Sequence, residues 1–281
     1  GWYWDTMNTS HFLDERPKST SLDYQVFVNW GYEYGDDIAP FKKAVNGEFN
    51  RIHEAPLKSL LIYNGLDSLF TSKLQARQFD QIYNVEDIST KRKKANLFWQ
   101  EGTKVFCDLE NEGININVSY YQEQSKKLEN RSVFLIRNIW KSEENQLFKQ
   151  IYGKDLEISK PEDLKKLFFT VLKIPPIKHT EKGNISVDIE ALENIDSSIA
   201  KNIIKVRHLS KIKSTYVDGF LSIQHNGKIY PNFNLNIARS FRSSSDSPNF
   251  QNLPRKDKSA MEIIRGGIIP PPGYKIGETD F

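Results

Sequence analysis

A polar segment, residues 236–254, constrains how this chain can fold more than any other stretch. It contains two arginines, Arg239 and Arg242, then a run of serines, and then Ser-Pro-Asn-Phe-Gln-Asn-Leu-Pro at 247–254. Such a composition favours a loop between strands. Its guanidinium, hydroxyl and amide groups suit phosphate oxygens and the acceptors of a DNA minor groove, so we predict a nucleic-acid contact here. The alternative is a polar loop with no ligand.

A carboxylate follows this segment near the last residue. After a turn through Pro-Pro-Pro-Gly at 270–273, residues 274–277 are predicted to form a strand that carries Asp280 at its end. A carboxylate in that position is a usual ligand for a catalytic metal ion.

The order of these motifs resembles the palm of family A DNA polymerases, the DNA polymerase I class, in a phage-like form. The matching residues are Arg-Ser-Ser-Ser at 242–245, the 247–254 motif, Ile-Arg at 264–265, Asp-Phe at 280–281 and Lys-Ser-Thr-Tyr at 213–216. The resemblance implies that Asp280 is catalytic and holds one Mg²⁺ of a two-metal site. The residues assigned to DNA binding are Arg242, Gln251, Asn252, Asn249, Arg265, Lys213, Ser214, Thr215, Tyr216 and Arg239.

One residue departs from the family pattern. Many relatives have glycine immediately before the arginine, where this chain has Phe241. Either the backbone there avoids positive φ or the loop follows another path, which affects the placement of Arg242.

A second motif, Tyr63-Asn-Gly-Leu-Asp67, places a phenol and a carboxylate on one face of a predicted helix. Alone, this spacing also fits an exposed aspartate beside a half-buried tyrosine. Asp-Thr-Met at 5–7, Leu-Asp-Glu-Arg at 13–16 and Ser-Leu at 21–22 resemble the back half of the 3′→5′ exonuclease of the same family. The resemblance implies catalytic roles for Tyr63 and Asp67, with Asp67 as a metal ligand. Two further carboxylate motifs would precede Gly1, so the site would be partial.

Apolar periodicity predicts a helix-rich chain. Helices are expected over 5–16, with Asp5 near the start and an apolar stripe of Met7, Phe12 and Leu13, and over 57–83, 97–112, 120–149 and 197–221. Ser159 is expected to cap another helix. Cys107 is expected to be buried. Asn226-Gly227 predicts the turn of a hairpin over 221–230.

The predicted fold class is α+β, with a partial ribonuclease H-like exonuclease lobe, a helical thumb and the opening antiparallel strands of a palm. The expected boundaries are 1–87 for the end of the exonuclease domain, 88–118 for a linker and palm-opening helix, 119–222 for the thumb, and 223–281 for the first part of the palm.

The composition agrees with a globular chain but says little about partners. The 281 residues are 38% hydrophobic, and 39 Lys and Arg against 36 Asp and Glu give a net charge of +3. A net charge this small is no evidence for a nucleic-acid partner, so that prediction depends on local clusters of basic residues. A single cysteine excludes an internal disulfide, and the apolar runs are too short to span a membrane. We expect the protein to lie in the cytoplasm or in the replicative compartment of a host cell and not to be secreted.

The resemblance predicts a segment of a DNA-directed DNA polymerase that binds primer-template DNA and, in the complete enzyme, uses deoxynucleoside triphosphates. The segment alone is expected to be inactive, with the fingers and the remaining palm on a second chain or on the rest of a longer one. Because the chain ends after Asp280, truncation, a split gene and an intein are all considered. The alternatives are a non-catalytic DNA-binding subunit and, less well supported, a freestanding exonuclease remnant.

Overall fold

The computed structural model describes residues 4–43, 50–84, 90–255, 257–277 and 279. They form a helix-rich fold with two small antiparallel sheets, which confirms that part of the predicted fold class. Within these ranges, no helix is long and apolar enough to cross a membrane. The chain divides into two compact units, Gly1–Gly113 with Tyr230–Asn252, and Ile114–Ile229 with Leu253–Phe281. The names exonuclease, thumb and palm, and their boundaries, stay predictions.

The first unit contains five helices and one sheet within its described residues. The strand Asn232–Asn234 pairs antiparallel with the strand Ser244–Asp246, with Phe233 opposite Ser245. The helices are α1 (Thr6–Leu13), α2 (Leu22–Trp30), α3 (Ala39–Lys42), α4 (Leu57–Tyr83) and α5 (Thr90–Glu112), a 3₁₀ turn spans Ile52–Glu54, and the strands are β3 (Asn232–Asn234) and β4 (Ser244–Asp246).

Helix α1 begins as predicted, because the side chain of Asp5 accepts a hydrogen bond from the Asn8 amide at 2.8 Å. The buried part of this helix is polar, however, whereas an apolar stripe that included Met7 was expected, and Met7 is exposed. Gln100 of α5 explains the difference. Its Oε1 accepts from the Asp5 amide and its Nε2 donates to Thr9 Oγ1, both at 2.7 Å, so the polar groups satisfy one another inside the unit.

Helices α4 and α5 have the predicted ends at Tyr83 and Glu112, and Gly113 follows α5 with a φ of 68°. The first part of the apolar face of α4 is exposed, and burial starts only at Phe70. Helix α5 likewise buries Asn96, Trp99 and Gln100 and exposes apolar side chains. The prediction that Cys107 is buried is wrong, since it lies on the exposed side of α5. The exposed apolar residues of these two helices are Leu57, Leu61, Ile62, Leu69, Phe79, Leu97, Phe98, Val105 and Leu109.

The second unit is a helical body with an apolar core. The strand Ile114–Asn115 pairs antiparallel with the strand Lys228–Ile229, with Ile114 opposite Ile229, and Ile116 forms a bridge to Ile268. The core includes Ile139, Phe148, Leu164, Phe168 and Ile203, as expected for helices with apolar stripes. The elements are α6 (Val118–Lys141), α7 (Glu143–Tyr152), α8 (Pro161–Lys165), α9 (Ile189–Glu193), α10 (Ser198–Lys211), α11 (Asp218–Ile223), α12 (Lys258–Arg265), β1 (Ile114–Asn115), β2 (Lys228–Ile229) and π-helical segments at Lys166–Val171 and Ile212–Val217.

Several predicted boundaries in this unit are wrong. The helix expected over 120–149 breaks at Ser142, whose hydroxyl caps α7 by accepting from the Asn145 amide. Ser159 is not a cap, because α8 begins at Pro161 and the preceding Lys160 occupies the cap position without a side-chain bond. The turn at Asn226 and Gly227 is present, but α11 replaces the first strand of the expected hairpin. Residues 274–277 are not a strand, since they lack a ladder partner among the described residues.

Candidate nucleic-acid interface

The loop between β3 and β4 carries the two arginines predicted to contact DNA. Its turn is closed by the Phe241 amide, which donates to the Ala238 carbonyl at 3.0 Å. Arg239 and Arg242 are both exposed. Within the part of the chain that the structure describes, neither guanidinium forms an ion pair with a carboxylate. Both forks are therefore available to an anionic or hydrogen-bond-accepting partner.

The nearest strand carboxylate, Asp246, is satisfied by amides. The side-chain amides of Asn232 and Asn234 donate to its two oxygens at 3.2 and 2.7 Å. These hydrogen bonds, that of Asn232 first, lower the pKa of Asp246 below its usual range. Asp246 therefore stays ionised, and the side-chain amides of Asn232 and Asn234, not Arg239 or Arg242, donate to it.

The polar turn after β4 uses some of its predicted DNA-binding groups to hold its own shape. Gln251 donates from its backbone amide to Ser245 Oγ and from Nε2 to Ser243 Oγ, both at 2.8 Å. Asn249 Oδ1 accepts from the Asn252 amide at 3.2 Å. Asn249, Gln251 and Asn252 are exposed, so their remaining polar atoms face solvent on the same turn.

Phe241 resolves the question that the sequence left open. Its φ is 54°, the left-handed region, so the loop keeps the backbone conformation that glycine favours while it carries a phenylalanine.

The Lys-Ser-Thr-Tyr motif at 213–216 lies in the π-helical segment between α10 and α11. Lys213 Nζ lies 2.7 Å from an oxygen of Asp218 and 3.3 Å from one of Glu129. Ser125 Oγ donates to the other oxygen of Asp218 at 2.7 Å. The hydrogen bond to Asp218 raises the pKa of Lys213, so this ammonium stays charged but is already held by carboxylates. The side chains of Ser214 and Thr215 are exposed.

Four other basic residues of the second unit have different surroundings. Lys205 and Lys211 of α10 are exposed, and neither forms an ion pair within the described ranges. His208 of the same helix contacts Asp257, the residue that caps α12. Arg265 lies half-buried in the last turn of α12. Asp280, the predicted catalytic carboxylate, lies outside the described residues.

Tyr63 and Asp67 lie on α4 with two partners that the sequence did not reveal. Tyr34 donates its hydroxyl to Asp67 Oδ1 at 2.6 Å, and Lys42 Nζ donates to the Tyr63 hydroxyl at 2.8 Å. The Tyr34 and Tyr63 rings have centroids 5.7 Å apart. Burial raises the pKa of Tyr63. The hydrogen bond with Lys42 lowers it and the hydrogen bond with Asp67 raises it, so the net shift is upward. Tyr34 and Lys42 belong to no recognisable sequence motif, so nothing in the sequence indicated their contacts with Asp67 and Tyr63.

These residues do not by themselves make a two-metal site. Nowhere in the described ranges does a group of three or more His, Cys, Asp or Glu side chains stand ready to hold a metal ion. Asp67 supplies one carboxylate, and one of its oxygens already accepts a hydrogen bond from the Tyr34 hydroxyl. Further ligands would be needed for the chemistry expected there.

Comparison with known proteins identifies the family. The family model described as DNA polymerase family A matches residues 122–281, more than half of the chain. The chain belongs to this family, which confirms the prediction from its motifs. A DNA polymerase of Escherichia phage T5 is 26% identical over 293 residues, covering 99% of this chain and 33% of that protein. DNA polymerase I of Chloroflexus aurantiacus is 27% identical over 236 residues, covering 81% of this chain and 24% of that protein.

A solved structure shares the fold. The POL domain of Pol1 from M. smegmatis, in complex with DNA primer-template and dNTP, matches 96% of this chain with a TM-score of 0.67 and 21% identity. This chain covers 42% of that one. It also spans only about a quarter to a third of the length of the two curated relatives.

Proposed function

We propose that this chain is a segment of a DNA-directed DNA polymerase that binds primer-template DNA through the loop between β3 and β4. The observation that carries the proposal is the pair of exposed guanidinium groups, Arg239 and Arg242, without carboxylate partners in the described structure. Family membership and the matched POL domain, whose structure holds primer-template and dNTP, support duplex DNA as the partner.

In this proposal the two arginines have different targets. Arg242 reaches the minor groove near the primer terminus, where a planar fork can test the acceptors that all correct base pairs present. Arg239 meets a phosphate, and Asn249, Gln251 and Asn252 accept or donate to sugar and backbone atoms beside it. Ser214, Thr215 and Tyr216 are also proposed to contact DNA, and Lys213 does so in competition with Asp218 and Glu129.

The reaction proposed for the complete enzyme is nucleotidyl transfer from a deoxynucleoside triphosphate. Mg²⁺ ions would activate the primer hydroxyl and neutralise the triphosphate. Asp280 would supply one carboxylate, and the other groups would come from the remaining palm and fingers, on the same or a second chain. Arg265, half-buried at the end of α12, is also proposed to contact DNA.

Residues 1–87 are proposed to be part of a 3′→5′ exonuclease, in which Asp67 ligates a metal ion and Tyr63 orients a water molecule. The remaining segments are then the linker, thumb and opening palm with the boundaries predicted above. The proposed setting is the replicative compartment of a host cell.

DNA binding by the 281-residue chain tests the proposal. Fluorescence anisotropy with a labelled primer-template duplex should show that Arg242→Ala weakens binding about tenfold or more, as expected for loss of one bidentate contact. Arg16→Ala removes the same charge from the same unit, but Arg16 is paired with Asp14 at 2.7 Å, so this control should bind like the parent chain. Equal affinities for the parent chain and Arg242→Ala would reject the proposed contact.

A further inference from the structure

The turn that carries Arg239 and Arg242 is fastened to the first unit by an aromatic cluster. The Phe241 ring lies edge-on to Trp99 of α5 with centroids 5.4 Å apart, and its centroid is 5.5 Å from that of His11 and 6.4 Å from that of Phe12 on α1. Edge-to-face pairs at these distances are attractive beyond the area that they bury. We call Phe241, His11, Phe12 and Trp99 the aromatic anchor.

The backbone of the turn is held at the same place. His11 Nε2–H donates to the Ala238 carbonyl at 3.1 Å, and the Phe241 amide donates to the same carbonyl at 3.0 Å. His11 is only 2% exposed and Trp99 8%, so both belong to the body of the unit. The two ends of the turn, residues 238 and 241, are therefore attached to α1 and α5, while the arginines at 239 and 242 point into solvent.

Phe241 occupies a conformation that disfavours it. Its φ of 54° lies in the left-handed region, where a side chain beyond glycine is strained. The contacts of the Phe241 ring with three other rings provide stabilisation that offsets this strain and that a glycine could not provide. The strain and the contacts together point to a fixed turn.

We propose that Phe241 is a positioning residue that holds Arg239 and Arg242 in a preformed orientation for duplex DNA. A turn already ordered before binding loses less conformational freedom when it meets the duplex, so its arginines bind more strongly. The inference rests on the proposed function for its DNA partner, but the anchoring of the turn is an independent property of the free chain.

Limited trypsin digestion of the free chain tests the anchoring. Trypsin cuts after arginine, and mass spectrometry can follow cleavage after Arg239 and Arg242 against all other sites. Phe241→Gly fits the positive φ but lacks the ring, so cleavage at these two bonds should accelerate about tenfold as the turn detaches. Phe241→Tyr retains the ring and should be cut at the parent rate. Asn226→Gly, at another residue with positive φ, controls for the gain of a glycine.

Duplex binding then tests whether the anchor acts through the two arginines. Phe241→Gly should weaken primer-template binding about fivefold in the parent chain and should cause no further loss in a background that carries both Arg239→Ala and Arg242→Ala. Phe241→Tyr should restore the parent affinity. Circular dichroism and thermal unfolding of each variant establish that the unit stays folded.

The outcomes separate the two ideas. Unchanged cleavage after Arg239 and Arg242 in Phe241→Gly would overturn the anchor, and so would an equal loss of affinity in both backgrounds. If Arg242→Ala binds like the parent while Phe241→Gly is cut faster, the turn is anchored but its proposed DNA contact fails, and with it the positioning role.

Discussion

At the scale of single residues, the structure shows that a basic side chain predicted to bind DNA can already be paired with carboxylates. Lys213 is held by Asp218 and Glu129, whereas Arg239 and Arg242 are unpaired within the described residues. Exposed ion pairs are weak, so a phosphate can displace such carboxylates at modest cost. A DNA phosphate must therefore displace carboxylates to bind Lys213, whereas it displaces none to bind Arg239 or Arg242.

Replacing Asp218 should make that difference measurable. Asp218→Asn removes the stronger competitor while Ser125 can still donate to the retained oxygen, so the affinity for primer-template duplex should rise about two- to fivefold. Anisotropy titration would detect this change. Glu162→Gln, which frees Lys165 elsewhere in the same unit, should leave the affinity unchanged. A similar rise in both variants would mean that only net charge matters, not Lys213.

A buried carboxylate in the second unit predicts a pH dependence of stability. Lys154 Nζ lies 2.5 Å from Asp163, whose side chain is 5% exposed. Burial by itself raises the pKa of Asp163, but the hydrogen bond and charge of Lys154 outweigh it, so the pKa is lowered from 3.8. A carboxyl group with a lowered folded-state pKa stabilises the fold above its unfolded-state pKa, and this stabilisation disappears as the pH falls through the folded-state value.

Asp163→Asn should therefore lower the free energy of unfolding by about 2 kcal/mol at pH 7 and by progressively less below pH 3.8. Urea unfolding at a series of pH values would measure the difference between variant and parent. Asp196→Asn, at a fully exposed pair with Lys201, should change stability little at any pH. A difference that stays constant down to the lowest pH would exclude the ion pair as its cause.

At the scale of secondary-structure elements, the sequence predicted where helices lie better than which face they bury. The bounds of α4 and the cap of α1 were correct because apolar spacing and a capping aspartate are local signals. The buried side of α1 and α5 was missed, because the groups that satisfy it, Gln100 with Asp5 and Thr9, are far apart in sequence. The same reasoning applies to the candidate site, where Arg242 was predicted but the contacts of the neighbouring Phe241 with His11, Phe12 and Trp99 were not.

Gln100 should therefore be more important for stability than the exposed apolar residues of its helix. Gln100→Leu removes the acceptor of the Asp5 amide and the donor to Thr9 Oγ1, so the free energy of unfolding should fall by about 1–3 kcal/mol. Urea unfolding followed by tryptophan fluorescence would measure it. Gln81→Leu, at an exposed position of α4, should stay within about 0.5 kcal/mol of the parent. Equal stability of both variants would contradict the polar interior.

The end of α12 is fixed by a close approach of backbone to a ring. A Cβ atom on Gly267 would lie 2.4 Å from Cζ of Tyr121, a fully buried side chain that donates its hydroxyl to the Ile264 carbonyl. Gly267→Ala should therefore displace the ring and reduce the free energy of unfolding by about 1–3 kcal/mol. Thermal unfolding would test this, with Gly277→Ala, where a Cβ meets open space, as the control. An unchanged midpoint for Gly267→Ala would show that Tyr121 moves without cost.

At the scale of the whole molecule, a net charge of +3 is too small to attract DNA by itself, so binding should depend on where the charges lie. Each cation that neutralises a phosphate releases counterions, and the logarithm of the binding constant then falls with the logarithm of salt concentration by about 0.9 per contact. A contact with a base edge contributes affinity without that dependence. Salt titration of the intact chain therefore distinguishes the two roles proposed for Arg239 and Arg242.

Arg239→Ala should weaken duplex binding to the same extent for every sequence and should reduce the salt slope by about one, because a phosphate contact is lost. Arg242→Ala should weaken binding by about 1–3 kcal/mol at constant salt while the slope changes much less, because the lost partner is an uncharged groove acceptor. Arg16→Ala should alter neither quantity, since the Arg16 guanidinium is paired with the Asp14 carboxylate. If both loop variants reduce the slope by the same amount, both arginines contact phosphates, and the loop holds the duplex without testing its base pairs.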